Sequence, residues 1–422
     1  MRPVGIAALV LAALPLSVGA ADGIRVGEET VVAASRADRD IRGTPHVARG
    51  QRGYLAVWRE GWNGEGGTAR IRAARLDDSG KVLDPAGIEL APCRDGFQEL
   101  PRVASGGGVF LVVWQDFRNG KDYDILGARV SPEGKVLDAQ PIAIATGPGT
   151  QAAPDIASDG KDFLVAWQAI QTETNTFRVQ AARVGADGRL GAASDDRSPW
   201  TKAAAAPKLA WDGSHYRIVF VSQSLLSLRL NPDGSVPEKD QAATLRGNLG
   251  AAIGFSHSVA ATPGKGMLAV FPRSQPDYWG WGGPGAMICC PVGMDGKRDA
   301  TLPREESPQT KLGNWLDFGK EKGEGSPWPH GASAVAWDGR HFVVVWQRHH
   351  IRKTVTFANA DLLAARVDGW KPLDEGVTVA GSELEEKSPA LASDGAGNLL
   401  CVYEKHTSDG RIAIVARVLQ AR

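Results

Sequence analysis

The segment Arg273-Ser-Gln-Pro-Asp277-Tyr278-Trp279-Gly280-Trp281 brings three aromatic rings, a carboxylate and a guanidinium into one polar stretch edged by glycine and proline. Rings exposed on a loop stack on the faces of sugars or on apolar side chains of another protein. Asp277 or Arg273 would then fix the partner's orientation by hydrogen bonds. The same rings would equally well plug a channel or cover a neighbouring sheet. Two other segments carry imidazole and charge, Gln347-Arg348-His349-His350-Ile351-Arg352-Lys353 and Glu404-Lys405-His406. A cationic, imidazole-bearing patch beside aromatics suits an anionic sugar or a carboxylate. His349, His350 and His406 are also metal-ligand types, but adjacent histidines without a fixed third ligand specify no site. Asp116, Asn119, Asp122 and Asp124 offer oxygens in a short run whose spacing misses that of a calcium loop. The candidate ligand-binding residues are therefore Asp277, Tyr278, Trp279, Trp281, Arg348, His349, His350, Glu404 and His406. No motif marks a catalytic nucleophile, and no metal or cofactor is expected.

What positions these residues is a long internal repeat. Pro101-Arg-Val-Ala-Ser, Phe110-Leu-Val-Val-Trp114-Gln, Asp124-Ile-Leu-Gly-Ala-Arg129-Val and Gly134-Lys-Val-Leu-Asp return as Pro154-Asp-Ile-Ala-Ser, Phe163-Leu-Val-Ala-Trp167-Gln, Val179-Gln-Ala-Ala-Arg183-Val and Gly188-Arg-Leu. The aromatic closing the second run can be followed through Trp58, Trp114, Trp167, Phe220, Phe271, Trp346 and Tyr403, with one long step between the fifth and sixth. Each unit holds four short runs rich in Val, Ile, Leu and Phe, separated by Asp-Gly and Pro-Asp-Gly turns, which is a strand pattern. Four strands repeated at this interval make a propeller blade. The expected fold is thus all-β, a single seven-bladed propeller over residues 21–422, with a surface-loop insertion at 300–331. The last unit lacks a fourth strand, and Gly27-Glu-Glu-Thr30-Val-Val-Ala-Ala-Ser35 resembles the missing text, so the N-terminal strand should close the ring.

A recurring residue is explained by packing before function. The aromatics above should sit between blades. The arginines Arg75, Arg129, Arg183, Arg229, Arg366 and Arg417 should be received by turn aspartates or blade carbonyls. Residues 1–20 read as a cleavable export signal, with an apolar run too short to span a bilayer, which predicts a secreted or periplasmic protein. Lys plus Arg and Asp plus Glu number 48 each, so no global field draws in nucleic acid. A disulfide between Cys93 and Cys401 is conceivable across the ring closure, whereas Cys289 and Cys290 should point to opposite faces of one strand.

In the second unit, Trp114-Gln-Asp116-Phe-Arg118-Asn-Gly120, Asp124-Ile125, Ala128-Arg129-Val130 and Gly134 together resemble the repeat of propeller regions in exported bacterial proteins, approximately W-x-D-x-R-x-G, then D-I, then A-x-R-V. The resemblance implies a fold and a compartment and carries no activity. Function is expected where the units depart from their own consensus. The first expectation is a module that binds a glycan or protein partner through loops of blades 5–7. The alternative is a carbohydrate-active enzyme, a glycosidase or polysaccharide lyase, with its site at the mouth of the central channel.

Overall fold

The structure is a computed structural model that describes residues 23–35, 43–61, 68–92, 96–171, 176–193, 204–238, 240–246, 257–272, 287–298, 315–316, 332–351, 357–369 and 371–422. Seven antiparallel sheets follow one another along the chain and form a seven-bladed propeller. The first blade is built from His46–Arg49, Tyr54–Gly61, Ala69–Leu76 and Ile88–Glu89. The second is built from Gln98–Gly106, Val109–Asp116, Asp124–Val130 and Ile142–Ala145. In the fifth, the outer strand is Trp315–Leu316, paired with Met287 and Ile288. Part of the stretch expected as a surface loop is therefore blade, and residues 301–314 and 317–331 lie outside the described residues.

The second strand of each blade reads apolar on both faces because each blade is sandwiched between two others. In the first blade, Leu55 and Val57 pack on Phe110, Val112 and Trp114 of the second, while Tyr54, Ala56 and Trp58 pack on Leu400 and Val402 of the seventh. The recurring aromatics are all buried in these seams. Cys289 and Cys290 do face opposite seams. Cys401, however, is a free, fully buried thiol on the face turned toward blade 6, among Val343, Val345 and Leu362. Cys93, its conceivable partner, lies outside the described residues.

Four of the six recurring arginines tie blade to blade, whereas Arg183 is held by Asp162 of its own blade and Arg417 by Tyr403, Gly27 and Glu29 at the ring closure. Arg129 donates through Nε and Nη2 to Asp138 of its own blade, with Nη2 to Oδ1 at 2.7 Å, and through Nη1 to the carbonyl of Ala186 in the next blade at 2.9 Å. Arg75 does the same with Asp84 and the carbonyl of Pro132, Arg229 with Asp240 and Met294, and Arg366 with Asp374 and Arg422. The turn glycine of the receiving blade lies directly under the guanidinium. A Cβ on Gly134 would stand 2.7 Å from Arg75 Nε, and Gly134 has a φ of 86°. In the fourth blade, Arg217 adds a second tie, with Nε 2.5 Å from Asp212 Oδ2 and both side chains wholly buried.

The inner strands of blades 1, 2, 3, 4 and 7 start with a distortion. Thr44, Leu100, Ala153, Ala206 and Ser388 adopt φ values of 50 to 54°, and each precedes a proline. In blades 2, 3, 4 and 7 the strand register slips there. A bulge of this kind re-aims the following side chain. The distorted backbone is held from the preceding blade by the residue after the blade aromatic. Gln115 Oε1 accepts the Ala153 N–H at 3.0 Å, and Glu404 Oε1 accepts the Thr44 N–H at 2.9 Å. Glu404 is buried and occupies the position equivalent to Gln115. It is a backbone anchor.

The ring closes as expected. Thr30–Ala34 pairs with the last strand in a register that sets Thr30 opposite Ala416 and Ala34 opposite Ala413, and Ile24–Val26 adds a second segment. Between them Glu29 accepts from Tyr403 Oη and Lys405 Nζ, both at 2.8 Å, and from Arg417 Nη2 at 3.4 Å. Partial burial works to raise the Glu29 pKa, but these donors outweigh it and hold the carboxyl below the usual range.

Two outcomes follow for the closure between blades 7 and 1. A carboxyl with a depressed folded pKa contributes stability above its unfolded pKa of about 4.3 and loses it as pH falls through the folded value. Glu29→Gln should therefore lower the thermal midpoint near neutral pH, with the gap to wild type closing as pH drops below about 4.3; a pH-independent gap would contradict the clasp. At Gly43, φ is 66° and a Cβ would stand 2.2 Å from Glu404 Oε1. Gly43→Ala should destabilise by about 1–3 kcal/mol in urea denaturation, while Glu404→Gln, which keeps the acceptor, should cost less.

Candidate functional site

The residue after the inner-strand proline points toward the ring axis. In the first four blades it is His46, Arg102, Asp155 and Lys208, and these line an axial cavity of about 320 Å3. Blades 5 and 6 have no proline at this point, and there His257, Ser258, Ser333 and Ala334 reach the same space; blade 7 contributes Ser388 and Ala390. The lining is lopsided. Ionisable groups come from blades 1 to 5, and small residues from blades 6 and 7.

Part of this polar arc serves the inner strands themselves, whose channel-side edges have no strand to pair with. His46 Nδ1 accepts the N–H of Val103 in the next blade at 3.2 Å, and Asp155 Oδ2 accepts the N–H of Leu209 in the next blade at 2.6 Å. Val103 and Leu209 are equivalent positions, so one device is used twice with different side chains. Asp155 Oδ1 also lies 3.5 Å from Arg102 Nε, and Arg102 Nη1 donates to the carbonyl of Pro101 at 2.8 Å. Across the axis, Ser258 Oγ and Ser333 Oγ are 2.9 Å apart.

The enclosure shifts these groups. Burial, followed by the charges of Arg102 and Lys208, pushes the His46 pKa well below that of a free imidazole. Burial likewise pushes His257 down, to about 3. For Lys208, burial and then the Arg102 charge lower the pKa to about 8 against the opposing pull of Asp155. At neutral pH both imidazoles are thus uncharged, and the formal charges of Arg102, Asp155 and Lys208 sum to one positive. A walled, cationic hollow of this size accommodates a small anion-bearing ligand.

The residues singled out from sequence are placed elsewhere. Asp277, Tyr278, Trp279 and Trp281 lie outside the described residues. Pro272 and Met287, which flank them, are paired with each other at the same end of blade 5 as the start of its inner strand, where Ser258 is opposite Val270. Arg348, His349, His350, Glu404 and His406 are on strands, not in loops, since the second strands of blades 6 and 7 run on to Ile351 and His406. Arg348 Nη2 is 3.0 Å from Asp361 Oδ2. His349 and His350 are paired in register with Ala360 and Asn359. His406 Nε2 lies 3.1 Å from Glu385 Oε2, and Glu404 is the Thr44 anchor. Arg348, Glu404 and His406 are not among the described residues that line the axial cavity. Asn119 donates to Asp122 and Asp124, and Asp116 accepts from Trp114 and Arg118, so that loop satisfies itself. Among the described residues no group of three His, Cys, Asp or Glu is arranged to hold a metal ion.

No protein-family model matches the chain, and no curated protein matches it in sequence. Solved structures do. The sialidase of Trypanosoma rangeli superposes with a TM-score of 0.51 at 9% identity, over 93% of this chain and 59% of the sialidase. The same sialidase in complex with sialic acid gives a TM-score of 0.50 at 10% identity, over 94% and 59%. A protein of unknown function from Dyadobacter fermentans aligns over 95% of this chain and all of its own length, with a TM-score of 0.47 at 10% identity. This chain therefore spans less than two thirds of the sialidase's length, and at such identities the sialidase likeness shows the propeller fold.

Proposed function

We propose that the protein is an exported carbohydrate-binding propeller that takes its ligand into the axial cavity. The observation that carries this is the convergence of one inner-strand position from successive blades on a single hollow, with polar atoms left over once the strand edges are satisfied. A volume of about 320 Å3 is at the lower end of small-ligand sites, the scale of one sugar ring. The Trypanosoma rangeli sialidase, a structure of which holds sialic acid, supports the reading as a ring of like fold that receives a sugar. The aromatic segment with Trp279 and Trp281 joins strand ends on the face from which the inner strands start. Its rings are proposed to stack on the ligand's continuation. Hydrolysis by paired carboxyl groups fits less well. That chemistry places two carboxyls across the scissile bond, and Asp155 is the only carboxylate among the described lining residues, already engaged by Arg102 and the Leu209 N–H.

A glycan array probed with wild type, Ser333→Phe and the double variant Trp279→Ala, Trp281→Ala tests this. Wild type should bind, and the phenylalanine projecting into the cavity should abolish binding with the thermal midpoint unchanged. Loss in the tryptophan variant alone, with Ser333→Phe binding normally, would move the site from the axis to the loop. Absence of any glycan bound by wild type would end the carbohydrate reading.

A further inference from the structure

Two residues that line the axial cavity each carry a polar atom with no hydrogen-bond partner among the described residues, and the two atoms differ in kind. The first is the Lys208 ammonium, on which only burial and the charges of Arg102 and Asp155 act. The second is His257 Nδ1, on a side chain 2% exposed. His257 Nε2 lies 3.4 Å from the Val219 carbonyl, which makes Nε2 the protonated nitrogen and leaves Nδ1 a bare acceptor. A buried acceptor without a donor is costly, and the half-buried Lys208 ammonium beside it lines the hollow with no hydrogen-bond partner and with Arg102 opposing its charge. Asp155 relieves the first only in part, because its Oδ2 is taken by the Leu209 N–H and its Oδ1 faces Arg102. His46 does not relieve the second, being uncharged with its own Nδ1 occupied by the Val103 N–H.

A ligand that answers both carries an anion and a hydroxyl within one small frame. We propose that the axial cavity selects a sugar acid, with the ligand's carboxylate on Lys208, where Arg102 adds its charge, and a ligand hydroxyl donating to His257 Nδ1. This rests on the carbohydrate reading and specifies its ligand class. Ser258, beside His257, and Ser333 in the next blade supply hydroxyls on the adjoining wall, and Ala332, Ala334 and Ala390 leave the ring its room. A neutral sugar would satisfy His257 and leave Lys208 bare, and a simple carboxylate would do the reverse. The charged groups facing Lys208 are Arg102 and Asp155, and the imidazoles of His46 and His257 are uncharged at neutral pH. The sugar carboxylate stays ionised throughout the neutral and alkaline range. Binding should therefore be constant below about pH 8 and weaken by up to tenfold per pH unit above it, as Lys208 loses its proton.

Isothermal titration with D-glucuronate, D-galacturonate and N-acetylneuraminate beside D-glucose and D-galactose decides the matter. At pH 7, at least one acid should bind ten or more times more tightly than the neutral sugars, and the advantage should fade between pH 8 and 9.5. Lys208→Met should lose the preference for acids. Lys208→Arg should keep it without the fall above pH 8, which separates charge from mere shape. Equal affinity for acids and neutral sugars, or an acid preference that survives Lys208→Met, would overturn the assignment while leaving the carbohydrate reading in place. Binding of no sugar, charged or neutral, would overturn both.

Discussion

The guanidinium of Arg129 is gripped by Asp138 behind it and reaches forward to the Ala186 carbonyl in the next blade, and everything at the axis depends on that kind of contact. Apolar seams hold blades together without fixing how far one may slide on another, because hydrophobic contact is non-directional. A charge-assisted, two-pronged hydrogen bond does have direction. Repeated at Arg75, Arg229 and Arg366, it fixes the angle and height of successive blades and thereby the height at which inner-strand residues meet. At the Arg75, Arg129 and Arg366 staples the carboxylate also takes the arginine's own N–H, as Asp138 does at 2.7 Å, which orders the side chain from within its own blade.

That fixed height is what makes the axial position a site. His46 and Asp155 lean the same way and cap equivalent backbone N–H groups in the following blade although one is an imidazole and the other a carboxylate. The geometry is set by the bulge and its anchor, and the side chain placed there is free to vary. Blades 1 to 4 use that freedom for His, Arg, Asp and Lys. Blades 6 and 7 use it for alanine, and the hollow lies where those side chains stop short.

Sequence made legible whatever the ring needs seven times over. The aromatic series, the arginine series with its aspartate and carbonyl acceptors, the turn glycines and the N-terminal closing strand could all be read because one constraint writes the same residue repeatedly. The axial site was missed for the converse reason. His46, Arg102, Asp155 and Lys208 differ from one another and look like noise in the repeat. The available signal was a run of four polar or charged residues, each directly after proline, at the head of otherwise apolar strands. Glu404 was misjudged because it was compared with its neighbours Lys405 and His406 and not with Gln115, its counterpart five blades earlier. Which seam Cys401 faces was not legible, because alternation along the strand gives two faces but not which blade each meets. The outer strand of blade 5 went unseen because Trp315–Leu316 is two residues long and embedded in text rich in Gly, Glu and Lys.

The lopsided lining also bears on how a ligand is held. In a mobile loop, a lysine and an arginine repel each other and relax into water, and a ligand must bring them back. Here each stems from an inner strand whose position the staples have fixed, so their mutual repulsion is borne by the fold before any ligand arrives. Lost hydration first, and then that repulsion from Arg102, lower the pKa of Lys208. An incoming carboxylate then gains from both charges without ordering either side chain, which is where preorganised sites derive affinity from few contacts. The alanines opposite contribute in the other sense, since a ligand meets no side chain there that must be displaced. For the proposed sugar acid, a rigid ring with one charged wall and one empty wall would act by field on one side and by shape on the other, and the ligand's orientation would follow from the difference.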